Sequence, residues 1–405
     1  LAVWRYAWRN LWRNSRRSLI TLAAVTLSTA VLMASYALMD GLFRHTIDNA
    51  TNLVTGEVQV HAPGYLAERS LYQALADPAA LLAAAQKAGL GAAARSFGYG
   101  LVSQGAKSAG ALFWGVDPAV EARAFDLARH LERGRFLAEK PGRGLVVGRK
   151  LARSLGLDLG AEVVVVVQAA DGSLGNDLYT VTGILKAAGE GLDRSAAFIH
   201  AADFEQLFVS GGRIHEVALN SRGRLPLDEV AALAARAAPG EEVKTWRALM
   251  PTLADMVNLF DVSMAIFGAI FFLAAGLGVM NTMLMSTYER IHEFGLLKAL
   301  GATPWRIVRD VCLEALLLGL AATTAGTLLG LAGTWYLQAV GLNTGSLVGE
   351  TTIAGVAFDP IWRAQFSLRA VVSSVATMWA ICLLAALYPA AVAARLDPVR
   401  ALNRV

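Results

Sequence analysis

The side chains of this chain that could do chemistry stand in an unusual setting. Glu289, Arg290, Glu293 and Lys298 alternate at helical spacing with Ile291, Phe294, Leu297 and Leu300. On either side lies an uncharged run longer than the roughly 20 residues that cross a bilayer. This is the pattern of a short amphipathic helix. Its chemistry is ionic: these groups can pair with charges on a partner, but they do not form a set that moves protons or attacks a substrate. Gly301 can end the helix in a left-handed cap, and Thr303-Pro304 can cap and begin the next one. On the residues alone two readings stand, an ordinary loop helix at the water interface or a docking surface.

Other constellations are missing. The sequence has no Gly-x-x-x-x-Gly-Lys-Ser/Thr phosphate loop, no His-Glu-x-x-His and no Gly-x-Ser-x-Gly. His45, His61, His130, His200, His215 and His292 are scattered, so no metal site is expected. The two cysteines, Cys312 and Cys382, lie in or beside apolar runs, and no disulfide framework is expected elsewhere. No polar residues in mid-run make an ion relay. Glu314, one turn into an apolar helix from Asp310, is the exception, and is read as a side chain snorkelling to the interface rather than a functional acid.

The elements that position the charged stretch are membrane spans. The chain has 405 residues, 55% of them hydrophobic and only 17% charged, less charge than a soluble domain carries. Uncharged runs at Ser18–Met39, Val262–Tyr288, Ala315–Gly349 and Ala370–Ala394 imply four transmembrane helices, the third leaving the membrane near Gly341. Residues 1–17 carry Trp4, Trp8 and Trp12 on one line and Arg5, Arg9, Arg13 and Arg17 on the next, as an interfacial helix does. Cleavage as a signal peptide, for which Ala34-Ser35-Tyr36-Ala37 offers a site, is not expected, because the apolar run exceeds the usual length. Basic residues dominate 1–17, 286–314 and 395–405, so these segments and both termini are expected in the cytoplasm. The positive net charge of +4 then reflects topology, not nucleic-acid binding.

Between the first two spans lies an insert of about 210 residues, a domain's worth. Strands are expected at 56–61, 144–147, 162–168, 177–185, 216–219 and 242–246. Helices are expected at 77–89, 149–155, 201–208 and 227–237. The mixture is α+β. In the third span Gly326 and Gly330 form a close-approach pair.

Three groups of motifs carry a family resemblance. Tyr288-Glu289-Arg290, Glu293-Phe294-Gly295 and Lys298-Ala299-Leu300-Gly301 resemble the signature of FtsX-like permeases, the membrane subunits of ABC transporters of the MacB and Lol (lipoprotein-releasing) type. Tyr388-Pro389 with Leu396-Asp397-Pro398-Val399-Arg400 resembles the C-terminal signature of the family. Gly115-Val116-Asp117-Pro118, Leu131-Glu132-Arg133-Gly134 and Gly148-Arg149-Lys150-Leu151 resemble the MacB/Lol periplasmic core domain. The resemblance implies an α-helical membrane protein with four transmembrane helices and a two-lobed α+β periplasmic domain between the first two. The implied layout is an interfacial helix 1–17, spans 18–42, 256–287, 304–341 and 368–394, a periplasmic domain 43–255, a coupling helix 288–303, a periplasmic loop 342–367 and a tail 395–405. Within the domain it implies a porter lobe at 43–99 and 211–255 and a sabre lobe at 100–210.

The family's coupling helix docks on an ATPase, which assigns that role here to Tyr288, Glu289, Arg290, Glu293, Gly295, Lys298 and Gly301. Two ATPase copies on a separate polypeptide would bind ATP and Mg, and this chain itself would hold no cofactor. A second permease copy or paralogue completes a dimer in the bacterial inner membrane. The second span, running unbroken from the domain into the coupling helix, would carry motion outward. For a lipoprotein cargo, an acyl-chain cleft is expected at the outer ends of the first two spans, at Met33, Tyr36, Met39 and Phe43 and at Met256, Phe260, Met264 and Phe267, unless these are plain packing residues. The hairpin at 169–177 is short for the hook that recruits a periplasmic carrier. Efflux with a periplasmic adaptor, FtsX-like signalling to a cell-wall hydrolase and, last, a membrane-embedded enzyme remain as alternatives.

Overall fold

The computed structural model describes residues 15–344, 352–353, 356–357, 361–395 and 397. The expected interfacial helix, apart from its last three residues, and most of the expected 342–367 loop and 395–405 tail lie outside the described residues. Two compact units form, one from described residues up to Phe43 with 258–344 and 361–395, the other from Arg44–Val257 and part of 347–360.

Helix α1 (Ser15–Ala50) is the first described element and continues into a π-helical turn at Thr51–Thr55. The α/β unit follows: β1 (Val58–His61), α2 (Tyr65–Glu68), α3 (Pro78–Lys87), β2 (Gly91–Gln104), β3 (Lys107–Val116), α4 (Pro118–Ala124), β4 (Leu131–Gly134), β5 (Gly144–Val147), α5 (Arg149–Leu155), β6 (Glu162–Gln168), β7 (Leu174–Leu185), α6 (Glu190–Ser195), β8 (Ala196–His200), α7 (Ala201–Phe208), β9 (Glu216–Asn220), α8 (Leu227–Ala237), β10 (Glu242–Thr245) and α9 (Trp246–Leu249). Local signals explain the helix ends. Asp77 accepts a hydrogen bond from the Ala80 amide at 2.9 Å with Pro78 in the first turn, and Gly156 closes α5 at φ 76°.

Strands β1 to β10 join one sheet, nine of them in the order β10-β1-β9-β2-β3-β8-β5-β7-β4. Strand β6 pairs with both β2 and β7. The pairing therefore has an open limb, β10-β1-β9-β2, and a closed ring, β2-β3-β8-β5-β7-β6, with β2 common to both. The ring encloses Val102, Phe113, Val147, Val163, Val165, Tyr179, Val181 and Ile199. The limb packs Val58, Val60, Val217 and Leu219 against α3 and α8 through Leu81, Ala85, Val230 and Ala234. The 99/100 division expected between lobes falls inside β2.

The hairpin β2–β3 is the longest pairing in the sheet, and alternation did not reveal it. Its glycines interrupt the pattern for a packing reason. A Cβ at Gly98 would lie 2.2 Å from the Phe208 ring and one at Gly115 2.6 Å from Phe204, so α7 rests directly on bare backbone. The β6–β7 turn spans only 169–173, with Gly172 at φ 84° and Asp171 accepting from the Ser173 amide.

Helices α10 (Pro251–Glu289), α11 (Ile291–Ala299), α12 (Pro304–Ala339) and α13 (Leu368–Ala394) follow, with two-residue strands between the last two. Among the described residues, four helical segments, Ser15–Thr55, Pro251–Glu289, Pro304–Ala339 and Ala370–Ala394, are long and apolar enough to cross a membrane. Helix α12 ends at Ala339, just before Gly341 at φ 73°. The helical unit is held by Val25, Ala275, Val279, Ala315, Leu318, Ala322, Met378 and Ile381. The Gly326/Gly330 pair receives α1 of the same chain: a Cβ at Gly326 would lie 2.7 Å from Thr29 Cβ, and one at Gly330 2.9 Å from Met33 Sδ. Trp379 Nε1 donates to Thr323 Oγ1 at 2.9 Å, so a partly buried hydrogen bond ties α13 to α12.

Candidate functional site

The charged stretch is two pieces, not a continuation of α10. Helix α10 ends at Glu289, α11 begins at Ile291, and Arg290 between them turns out of helical geometry at φ −112°. The guanidinium is held on three sides. Nη1 donates to Glu314 Oε1 at 2.6 Å, Nε donates to Glu293 Oε2 at 2.9 Å, and the group lies 4.8 Å over the Phe294 ring. Arg290 is 3% exposed and Glu314 4%. Glu314 therefore does not snorkel: a cation delivered by the turn meets it inside, and a buried carboxylate is more stable beside a cation than alone. Lys298 Nζ donates to the Ala394 carbonyl at 2.6 Å, satisfying an end group of α13. Gly295 is buried, and Phe294 packs with Ile307, Val311, Ala390 and Ala393. Gly301 takes the left-handed conformation at φ 87°.

The outward face is then different from the polar one that spacing implied. It consists of Tyr288, Glu289, His292, Leu296 and Leu300, with Trp305 at the start of α12. Glu289 sits 3.4 Å from Arg17, and Glu293 is half-buried. Sequence reasoning missed His292, Leu296, Leu300 and Trp305 as outward residues. The i, i+4 line His292–Leu296–Leu300 was the available signal.

The expected cleft residues are brought together in pairs. Tyr36 Oη donates to the Met264 carbonyl at 3.4 Å, and the Phe43 and Phe260 rings lie 4.9 Å apart. Met33 is buried against Gly330, Met264 is buried, Met39 is half-buried, and Phe267 is exposed. In this structure the seam between α1 and α10 is closed by its own side chains. Met256 belongs to the other unit and is half-buried.

In the α/β unit a charged row crosses one sheet face. His61, Glu216 and Arg95 are register neighbours on β1, β9 and β2. Arg95 is fully buried; its Nη1 donates to Glu216 Oε1 at 2.9 Å and to the Val54 carbonyl at 2.6 Å, and its Nη2 donates to Glu121 Oε1 at 2.6 Å. This arginine fastens the π-helical turn after α1 to the sheet. The Trp246 amide, donating to the Glu57 carbonyl at 2.9 Å, fastens the segment before α10. Burial pushes the Glu121 carboxyl above its usual range although Arg95 opposes it. Burial lowers the His61 and His215 pKa values, with Glu216 partly opposing at His61. No sequence signal marked this row, because its members lie far apart: Arg95 and Glu216 are separated by 121 residues. Among the described residues, no group of three His, Cys, Asp or Glu side chains could hold a metal ion.

Comparison with known proteins follows this division. The model of the MacB-like periplasmic core domain matches residues 18–253, more than half of the chain, and that of the FtsX-like permease C-terminal matches residues 265–398. The lipoprotein-releasing system transmembrane protein LolC of Xylella fastidiosa is 24% identical over 95% of this chain and 93% of its own length. An uncharacterized ABC transporter permease of Methanocaldococcus jannaschii is 25% identical over 69% of the chain and 66% of its own. The macrolide export ATP-binding/permease protein MacB of Syntrophobacter fumaroxidans is 30% identical over 42% of the chain, which corresponds to 21% of that larger protein. With four apolar helices, an α/β core domain and both family models matched in series, the chain belongs to the FtsX-like permease family of ABC transporters, with a MacB-like periplasmic core domain.

Proposed function

We propose that this chain is the permease subunit of a lipoprotein-releasing transporter that works by mechanotransmission. Two copies of a separate ATPase bind ATP and Mg and dock on the segment 288–303. A second permease copy or paralogue completes the dimer, in the bacterial inner membrane with both termini in the cytoplasm. The observation that carries the reading is the architecture of the docking corner. Arg290 and Lys298 are turned inward as struts to Glu314 and the Ala394 carbonyl, leaving an outward face in which Tyr288, Leu296 and Leu300 stand beside the polar Glu289 and His292. An exposed patch of this kind on a rigid mount suits a protein partner. Closure of the ATPase dimer would push this corner and move α10 with it, the Arg290 strut replacing the continuous helix that the sequence implied. The open limb of the sheet corresponds to the porter lobe and the closed ring to the sabre lobe. The seam held by Tyr36–Met264 and Phe43–Phe260 is the cleft that opens to acyl chains. The similarity to LolC along nearly the whole chain supports the cargo.

The test is ATPase turnover of the co-expressed complex in nanodiscs, with and without triacylated lipoprotein. The expected result is a substantial change in turnover with lipoprotein, lost together with ATPase co-purification in Leu296→Glu. Failure of any ATPase to co-purify with the wild-type chain would overturn the reading.

A second reading, export with a periplasmic adaptor, draws on one observation. Tyr99, Leu101, Val164, Leu174 and Leu178 share one exposed sheet face on β2, β6 and β7. A response of turnover to an adaptor and none to lipoprotein would favour it.

A further inference from the structure

A cavity of about 200 Å³ lies against the sheet face that carries the charged row, and the coupling reading leaves it unused. Aromatic side chains stand in its wall: Phe97 and Trp114, opposite each other on β2 and β3, with Tyr65 from α2 and the exposed Tyr99 from β2. Leu112 and Met250 add apolar surface. Phe97 and Trp114 meet edge to face at 4.6 Å, and Tyr65 stacks between His61 and His215 at 5.5 Å from each.

One charged oxygen in this lining is left without a partner. Arg95 donates to Glu216 Oε1 at 2.9 Å and also holds Glu121 at 2.6 Å, so two carboxylates divide one guanidinium. Glu216 Oε2 accepts no hydrogen bond among the described residues, and it keeps accessible surface although the side chain is only 5% exposed. His61 Nε2 lies 3.7 Å from it, beyond hydrogen-bond reach. The His61 proton is spent elsewhere. Gln59 gives its own Nε2–H to the Thr55 carbonyl at 2.7 Å, which turns Gln59 Oε1 towards His61 Nε2 at 3.0 Å. Burial also holds His61 below its usual pKa, so it stands uncharged at neutral pH. Arg69 is exposed at the rim and makes no ion pair with Glu216 among the described residues. A carboxylate oxygen withdrawn from bulk water is costly without a donor, and aromatic rings around it favour a cation.

We propose that this cavity binds a small primary amine, one ring or a branched aliphatic chain carrying a single ammonium group. The ammonium donates to Glu216 Oε2 among the aromatic rings, and the body packs on Leu112 and Met250. The ligand supplies the second positive charge, so that two carboxylates face two cations. The volume, below the ~300–1,000 Å³ of drug-sized sites, limits the ligand to about one ring. Thr55, the last residue of the π-helical turn after α1, and Met250, which precedes α10, both line the cavity. Occupancy therefore bears on the two chain segments that lead to the first and second spans, and a ligand that fits one arrangement of them better than another shifts their equilibrium. The site stands independently of the ATPase docking surface, so neither fails with the other.

The test uses the full chain in phosphatidylcholine nanodiscs, whose head groups carry no N–H, with empty nanodiscs as the blank. Binding of phenethylamine, cyclohexylmethylamine and 3-methylbutylamine is read by saturation-transfer NMR and calorimetry. 2-Phenylethanol and phenylacetate serve as the neutral and anionic contrasts. The expected result is saturable binding of at least one amine, with a Kd of about 1 mM or tighter, and about tenfold weaker binding of the alcohol and the acid. That comparison is made on the wild-type chain and needs no variant. Glu216→Gln keeps an oxygen for Arg95 but removes the charge, and is expected to weaken amine binding about tenfold, to the level of the alcohol. Arg69→Ala removes a like charge at the mouth and is expected to leave amine binding unchanged or tighter. Leu112→Trp, which fills the cavity, is expected to abolish it. No saturable binding of any of the three amines, an alcohol or acid bound as tightly as phenethylamine, a Kd within about twofold of wild type in folded Glu216→Gln, or a loss of about threefold or more in Arg69→Ala would overturn the proposal.

Discussion

Replacing Arg290 tests whether the turn between α10 and α11 is held by charge. Its guanidinium and the Glu314 carboxylate are 2.6 Å apart, with side chains 4% and 5% exposed. Breaking a buried pair by removing one partner costs about 3–5 kcal/mol, because the carboxylate stays behind in a poorly solvated place. The second arm, to Glu293, ends on a side chain 42% exposed and contributes about 1 kcal/mol or less. Arg290→Met is therefore expected to lower the stability of the helical unit by about 3–5 kcal/mol. The double variant Arg290→Met/Glu314→Leu removes both charges and keeps apolar volume, and such replacements are often neutral. It should cost at least about 2 kcal/mol less than the sum of the two single changes. The assay is SDS titration of the full chain in mixed micelles, followed by circular dichroism, on wild type, both single variants and the double. A loss below about 1 kcal/mol in Arg290→Met, or additivity around the cycle, would refute the assignment of Arg290 as a buried strut.

Two further outcomes follow from packing and titration. Gly326→Val would drive side-chain atoms into Thr29 Cβ and the Thr26 carbonyl, at 2.7 and 2.8 Å from the first added carbon, so a loss of about 1–3 kcal/mol or more is expected in the same titration, while Gly333→Val, with open space around it, should change little. His215 accepts the Phe97 amide on Nδ1 at 2.9 Å and faces the Leu71 carbonyl through Nε2 at 3.1 Å, and burial holds its pKa below the usual value. The folded state then binds this proton less readily than the unfolded chain. The stability it contributes is present above about pH 6.5 and is lost as pH falls below that value, at up to about 1.4 kcal/mol per pH unit for each such histidine. Thermal melts from pH 7.5 to 5.5 should show a shallower decline in His215→Asn, whose side-chain oxygen can still accept the Phe97 amide. An unchanged slope would refute the linkage.

Local structure was legible wherever a local rule decides it. Residues 162–168 alternate and form a half-buried strand, Asp77-Pro78 begins a helix, and Gly156, Gly301 and Gly341 end helices with positive φ. Where packing across the sheet overrode propensity, legibility failed. The β2–β3 hairpin carries Gly98 and Gly115 because Phe208 and Phe204 lie on them, and those phenylalanines are about a hundred residues away in sequence. The candidate sites divide in the same way. The stretch 288–301 stood out by its charge between apolar runs, but spacing could not say which charges face outward. Arg290 and Lys298 turn inward because Glu314 and the Ala394 carbonyl wait for them on other helices.

Sequence by itself determined four apolar helices, an inserted α/β domain and membership of a permease family, since hydropathy, run length and contiguous motifs are all written in neighbouring residues. Tertiary structure alone decided the closure of β6 onto β2, the burial of Arg95 between Glu121 and Glu216, the pairing of Tyr36 with Met264 and the cavity beside Trp114. Each depends on groups brought together from distant positions, where burial strengthens an ion pair and leaves a carboxylate oxygen wanting a donor. Such energies arise only once the chain has folded, so no local pattern records them.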